Sequence, residues 1–460
     1  MILRGLAVAT LLLFCTGSPL SGEWPLVWDF DGRSDTPVAA VAGAGGDLWV
    51  LSDSNVQGGS MSRGVLLRIA SDSEIIWATD DPLLTAPAAL AVRADGAAIA
   101  IGWLANAVQL TAFDADGAIA WSRSRSGLTN EFGFRGPTPA PSWDPEGNPA
   151  GGGAWRIPVG LGGDFAVLSF APNGEPLPDI VWSPPAGEGG ATSLLPRPGG
   201  SLLVAGIVEN VSPPGWWIVA LDAKGGVDWS RFEDGETQAG AFSGAFLLSA
   251  DPVRVWADDE TMCGNFSLRV WSLDAKSGAP LWASTWPTGG SPECESFTPE
   301  SVTIAGGRIL ASGIAKVPAS GASFDPTAVS IDAATGELQW ARVFDGATTG
   351  LRTAIASPDG SALLASSLFP NPSPGPTPLW LASWDRDGAA CAPPLELLPA
   401  RIQSSFALPD EGLLLVGKVF SGVGGTADDL VLQRVDNPCA ALFVDGFEAG
   451  DTLAWSASVP

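Results

Sequence analysis

One hairpin recurs along the chain and constrains the fold more than any other feature. Asp332-Ala333-Ala334-Thr335-Gly336 leads to Trp340, and Asp274-Ala275-Lys276-Ser277-Gly278 leads to Trp282. A form one residue shorter gives Asp222-Ala223-Lys224-Gly225 with Trp229, and Asp114-Ala115-Asp116-Gly117 with Trp121. In a tight β-turn Asp accepts backbone N–H bonds and Gly supplies a positive φ, so these residues have a structural role. A tryptophan shortly beyond can lay its ring between neighbouring units. Recurrence at a period of roughly fifty residues means a propeller or a solenoid.

Other cues share the rhythm. Gly-rich turns open apolar strands at Leu48–Leu51, Leu202–Ala205, Ile309–Ala311, Ala362–Ala365 and Leu413–Val416. Landmarks at Trp77, Trp121, Trp182, Trp229, Trp282, Trp340, Cys391 and Cys439 are separated by 44, 61, 47, 53, 58, 51 and 48 residues. Short strands with turn signals at this spacing fit four-stranded antiparallel blades, and no segment sustains a helical period. The expected fold is all-β: a single propeller over residues 23–439.

Eight units are expected, at 36–78, 88–123, 135–184, 190–232, 240–284, 298–343, 351–394 and 401–439. The third is weakest, with Ala171-Pro172-Asn173-Gly174 for its turn and a loop-rich stretch at 123–160; without it the count is seven. The eighth unit lacks a tryptophan strand, and Trp24 to Phe30 reads as that strand displaced to the start of the mature chain. Donating it to the last blade closes the ring and removes a free edge.

The hairpin resembles the PQQ-like (pyrroloquinoline quinone type) β-propeller repeat, A-x-D-x-x-T-G-x-x-x-W, of which BamB-type propellers are one branch. Residues 331–340 match best and 273–282 next, with Ser330 standing where the family prefers alanine. The resemblance implies the fold, together with structural roles for Asp114, Gly117, Trp121, Asp222, Gly225, Trp229, Asp274, Gly278, Trp282, Asp332, Gly336 and Trp340. It does not imply the quinone. Quinoprotein dehydrogenases carry adjacent cysteines, and this chain has no Cys-Cys pair. The tail Asp445-Gly446-Phe447-Glu448-Ala449-Gly450-Asp451 with Trp455 resembles a short motif at the ends of exported bacterial proteins, and residues 440–460 are set apart on that basis.

Residues 1–22 read as a signal peptide, with Arg4, an apolar run from Leu6 to Phe14, and cleavage after Gly17 or Gly22. Phe14 before Cys15 argues against lipidation, and no apolar run is long enough for a transmembrane helix. Secretion, or placement in the periplasm or cell envelope, is expected. Four cysteines remain, and the expected disulfides are Cys263–Cys294 and Cys391–Cys439, against the alternative of four free thiols. Only four lysines beside abundant Ala, Gly and Pro suggest a GC-rich bacterial genome.

With 23 basic against 50 acidic residues the net charge is −27, which repels nucleic acid. The chain has no histidine and no tyrosine, so Ser-His-Asp, Cys-His and histidine-ligated zinc chemistry are excluded. No cofactor is expected. Calcium is the one candidate, at Asp29-Phe30-Asp31-Gly32 with Asp35, at Asp258-Asp259-Glu260, or at Asp385-Arg386-Asp387-Gly388, none of which completes a calcium loop. Core or inter-blade packing is the expected role of Trp103, Trp143, Trp155, Trp216, Trp217 and Trp286, with a sugar- or peptide-binding face as the alternative. The expected function is a non-catalytic, monomeric protein-binding or scaffolding platform. The alternatives are a surface carbohydrate-binding module and, third, a divergent quinoprotein or carboxylate-based enzyme.

Overall fold

The computed structural model describes residues 26–28, 33–43, 46–55, 62–71, 74–104, 107–126, 142–146, 153–184, 187–209, 211, 214–235, 245–260, 266–287, 296–316, 324–343, 351–356, 360–367, 379–397, 401–407, 413–420, 428–435 and 439. The candidate signal segment, Cys15, Asp29 to Gly32, Cys263, Cys294 and residues 440–460 lie outside them.

Among the described residues thirty-two strands form eight four-stranded antiparallel sheets. β1 (Leu26–Trp28) precedes the first blade, which is β2 (Ser34–Ala42), β3 (Leu48–Asn55), β4 (Ser62–Ile69) and β5 (Ile75–Asp81). Blade 2 is β6 (Pro87–Val92), β7 (Ala98–Leu104), β8 (Ala107–Phe113) and β9 (Ile119–Ser126). Blade 3 is β10 (Ser142–Asp144), β11 (Ala154–Leu161), β12 (Asp164–Phe170) and β13 (Pro176–Trp182). Blade 4 is β14 (Glu188–Arg197), β15 (Ser201–Glu209), β16 (Gly215–Leu221) and β17 (Val227–Asp234). Blade 5 is β18 (Phe246–Ala250), β19 (Val253–Glu260), β20 (Phe266–Leu273) and β21 (Pro280–Trp286). Blade 6 is β22 (Ser296–Ala305), β23 (Arg308–Lys316), β24 (Phe324–Asp332) and β25 (Leu338–Val343). Blade 7 is β26 (Leu351–Ala356), β27 (Ala362–Ser367), β28 (Leu379–Trp384) and β29 (Ala390–Leu397). Blade 8 is β30 (Arg401–Ala407), β31 (Leu413–Phe420) and β32 (Asp428–Val435), with β1 as its fourth strand.

The weak third unit is therefore a blade, and the count is eight. Its β10 and most of β11 come from the stretch read in the sequence as an insertion. A first strand of only three residues leaves too little periodicity to stand out. In blade 8, Leu26, Val27 and Trp28 pair antiparallel with Leu432, Val431 and Leu430. β2 of blade 1 packs against β30, β31 and β32. Among the described residues there is no α-helix, only a single 3-10 turn at Pro198–Gly200, and no helix long and apolar enough to cross a membrane.

The core lies between the blades rather than inside a single centre. Along β16, Trp216, Ile218 and Ala220 pack toward blade 5, while Trp217, Val219 and Leu221 pack toward blade 3. A strand buried on both faces needs apolar residues at every position, which is why these segments read as continuous apolar runs. Similar clusters join blades 1 and 2, 2 and 3, 5 and 6, 6 and 7, and 8 and 1.

Candidate functional site

The repeated Asp-to-Gly turn joins the third and fourth strands of a blade. At Asp114 the backbone N–H bonds the carbonyl of Ala118 at 2.9 Å, and the N–H of Gly117 bonds the Asp114 carbonyl at 3.1 Å. The Asp114 Oδ1 accepts the N–H groups of Asp116 and Ala118 at 3.0 and 2.9 Å. Gly117 has φ of 82°, where a side chain is strained. Each such turn is followed by a register shift in the pairing of the two strands, as at Ala112/Phe113 and Ala220/Leu221. In the longer form, Asp274 accepts the N–H groups of Lys276 and Ser277 and the Ser277 hydroxyl. The Ser277 hydroxyl and the two backbone donors hold the Asp274 carboxyl below the usual carboxylate range. At Asp332 burial pushes upward, but the Ala334 and Thr335 donors and the Arg308 charge outweigh it and the carboxyl again sits low. Charge-assisted acceptance of backbone N–H groups favours the ionised form.

These turns are also the sockets of the blade junctions. The indole N–H of Trp77 donates to the carbonyl of Ala115 in blade 2 at 3.3 Å, and Trp121 to that of Pro172 in blade 3 at 2.8 Å. Trp229 reaches Ala275 of blade 5 at 3.2 Å, and Trp340 reaches Arg386 of blade 7 at 3.1 Å. Each ring lies flat on the turn glycine of the next blade. A Cβ added to Gly117, Gly174, Gly278, Gly336 or Gly388 would meet Trp77, Trp121, Trp229, Trp282 or Trp340 respectively at 2.4–2.7 Å. Glycine is required there twice over, by φ and by the approach of the ring. Arginines reinforce the sockets: Arg68 donates to the Ala115 carbonyl at 2.9 Å and Arg197 to that of Ala275 at 3.2 Å. Arg254 donates to Ala333 at 2.8 Å, and burial lowers the Arg254 pKa from its ordinary value.

Blade 3 departs from this pattern and corrects one landmark. Trp182 is not the equivalent of Trp121, because the fourth residue after Gly174 is Pro178. Trp182 stands at the other end of β13, opposite Phe165, with ring centroids 5.8 Å from Phe165 and 6.5 Å from Trp217. The Gly225 turn meets Ile180 instead, at 3.1 Å from an added Cβ. At the junction of blades 7 and 8, among the described residues, no tryptophan covers a turn. Cys391 on β29 and Cys439 beyond β32 are joined there by a disulfide.

The six tryptophans weighed for an aromatic face are engaged in packing, as expected. Trp155, Trp216 and Trp217 are fully or almost fully buried, at 1%, 0% and 4% exposure. Trp103, Trp143 and Trp286 are half-buried in packing, and Trp143 lies under the Arg93 guanidinium at 3.9 Å. Adjacent tryptophans on a strand point to opposite blades, so clustering near turns reflects two-sided burial. Among the described residues the calcium candidates are not brought together. Asp385 Oδ1 is taken by the N–H groups of Asp387 and Ala389, and Asp35 and Asp258 are buried. The side chains of Asp259 and Glu260 lie outside the described residues. No group of three or more metal-binding side chains occurs among the described residues.

A feature not read from the sequence is the outer rim. Ile76, Ile119, Val181, Val227, Phe232, Leu281 and Leu338 are exposed, and all lie on the outermost strands of blades 1–6. Ile119, Val227 and Leu338 each stand two residues before a junction tryptophan. That apolar-x-Trp spacing was the available signal.

The family described as Outer membrane protein assembly factor BamB matches over residues 179–365, from β13 to β27. No curated protein sequence matches the chain. Among solved structures, the Dos1 propeller is similar, with a TM-score of 0.51 and 13% identity over 89% of this chain and 95% of that one. The WD40 domain of SCAP from fission yeast gives a TM-score of 0.46 and 10% identity over 90% and 99%.

Proposed function

For a chain that is a PQQ-like β-propeller repeat protein, we propose a role as an exported, non-catalytic, monomeric platform that binds a protein partner and needs no cofactor. The observation that carries this reading is the rim: seven large apolar side chains exposed on the outer strands of six consecutive blades. Isolated exposed apolar residues are ordinary, but five of these, Ile76, Ile119, Val227, Leu281 and Leu338, recur one or two residues before a junction tryptophan and so stand at a common level from blade to blade. The partner is a protein that covers these side chains with apolar residues of its own. A charge of −27 disfavours nucleic acid. The turn carboxylates are engaged by backbone donors and the junction tryptophans by neighbouring blades, so neither set supplies a reactive site. Export is supported by the disulfide, which persists in oxidising compartments.

The test is site-specific photo-crosslinking from positions 119, 227 and 338 in producing cells, with buried position 218 as control. One discrete adduct is expected from the rim positions. The purified adduct partner is expected to bind the chain and to lose about tenfold affinity on Ile119→Asp or Val227→Asp. No adduct above the control, or saturable PQQ binding with alcohol oxidation, overturns the reading.

A further inference from the structure

Five blade junctions share one clasp, a tryptophan of one blade laid on the turn glycine of the next. The disulfide occupies the same place at the junction of blades 7 and 8. Gly388 is the fourth residue after Trp384, which ends β28, and Cys439 is the fourth after Val435, which ends β32. Trp384 pairs with Ala362 and Val435 with Leu413, so the two strand ends are equivalent in register. On the other side of the junction, Trp340 pairs with Ser330 and Ala392 pairs with Ser383. Cys391 is thus the immediate neighbour of the position that carries tryptophan in blade 6. A covalent bond stands where the ring would lie. Its location is unusual in a second respect, because blade 8 contains both the first strand of the described chain and the last.

We propose that the Cys391–Cys439 disulfide is a redox-controlled clasp, and that its reduction by a dithiol loosens the seam between blades 7 and 8 while the tryptophan-clasped blades stay packed. In the reaction a thiolate of the reductant attacks one sulfur, the Cys391–Cys439 bond breaks, and a mixed disulfide forms. The second thiol of the reductant then displaces the remaining cysteine. Two electrons and two protons pass to Cys391 and Cys439, and the reductant leaves as its cyclic disulfide. Cys391 is partly exposed whereas Cys439 is 3% exposed, so attack comes at Cys391. Cys439 follows β32, whose outer partner β1 is only three residues long. Short paired segments with one clasp removed fall at the low end of local stability.

The test is amide hydrogen exchange on the full chain with and without dithiothreitol, beside a Cys391→Ser/Cys439→Ser variant that retains Cys263 and Cys294. Exchange in β1 and β32 is expected to accelerate about tenfold or more on reduction, with β15 and β16 unchanged. The double variant is expected to show the fast rate already and to ignore dithiothreitol there. A second variant, C391Q/A392W/C439G, puts a tryptophan opposite a glycine and is expected to restore slow exchange in the presence of reductant. Unchanged exchange in β1 and β32 on reduction, or acceleration spread evenly over all blades, overturns the proposal. So does failure of the tryptophan variant to slow exchange.

Discussion

The junctions between blades 4 and 5 and between blades 3 and 4 solve one packing problem with different chemistry. At the first, Trp229 covers Gly278, donates its N–H to Ala275, and shares that carbonyl with Arg197. At the second, Ile180 covers Gly225, and the aromatic mass has moved to the opposite end of the strand as Trp182 against Phe165 and Trp217. The repeat therefore does not require tryptophan as such. It requires bulk somewhere along the fourth strand, because adjacent blades splay apart toward the rim. What tryptophan adds is a donor aimed at a carbonyl that the tight turn leaves without a strand partner.

Substitutions can break this comparison in order of severity. Trp229→Ala removes ring, donor and filled volume together and is expected to cost about 3–5 kcal/mol in urea unfolding. A cost no larger than that of Ile180→Ala would remove the distinction between the two junctions. Gly278→Ala is expected to cost about 2–3 kcal/mol, since its Cβ would lie 2.4 Å from Trp229 at φ of 67°. Gly225→Ala, strained in φ but 3.1 Å from a movable Ile180 side chain, is expected to cost about 1–2 kcal/mol. Equal costs at the two glycines would show that φ alone matters. Trp229→Phe keeps most of the bulk and loses the donor, for about 1 kcal/mol.

The smallest effects concern pH. Asp274 and Asp332 have folded-state pKa values below the ordinary one, so their contribution is present above that ordinary value and lost as pH falls through the lowered one. Amide exchange in the turns of blades 5 and 6 is expected to outpace that at Asn173-Gly174 below about pH 4, where the third blade has no carboxylate at the equivalent place. Glu209 behaves oppositely. Burial raises its pKa, so its favourable state is the protonated one, fully present below the ordinary pKa and lost as pH rises through the raised one. Glu209→Gln is expected to raise the thermal midpoint slightly at pH 7 and not at pH 3. A gain of equal size at both pH values would assign the effect to something other than ionisation.

The sequence by itself determined the all-β class, the repeat rhythm and the turn chemistry, because these depend on contacts within a few residues. Asp at the first turn position, Gly at positive φ and apolar runs on either side leave little choice of local backbone. Tertiary structure decided what each side chain met. Trp182 looked equivalent to Trp121 by spacing, but only the strand register showed it opposite Phe165. Packing was the expected role of Trp216 and Trp217, but only the structure shows them buried on opposite sides of one strand, against different blades. The rim, the glycine sockets and the alignment of Cys439 with Gly388 arise between segments some fifty residues apart in the chain. Such meetings are fixed by how blades pack around a ring, and no local pattern records them.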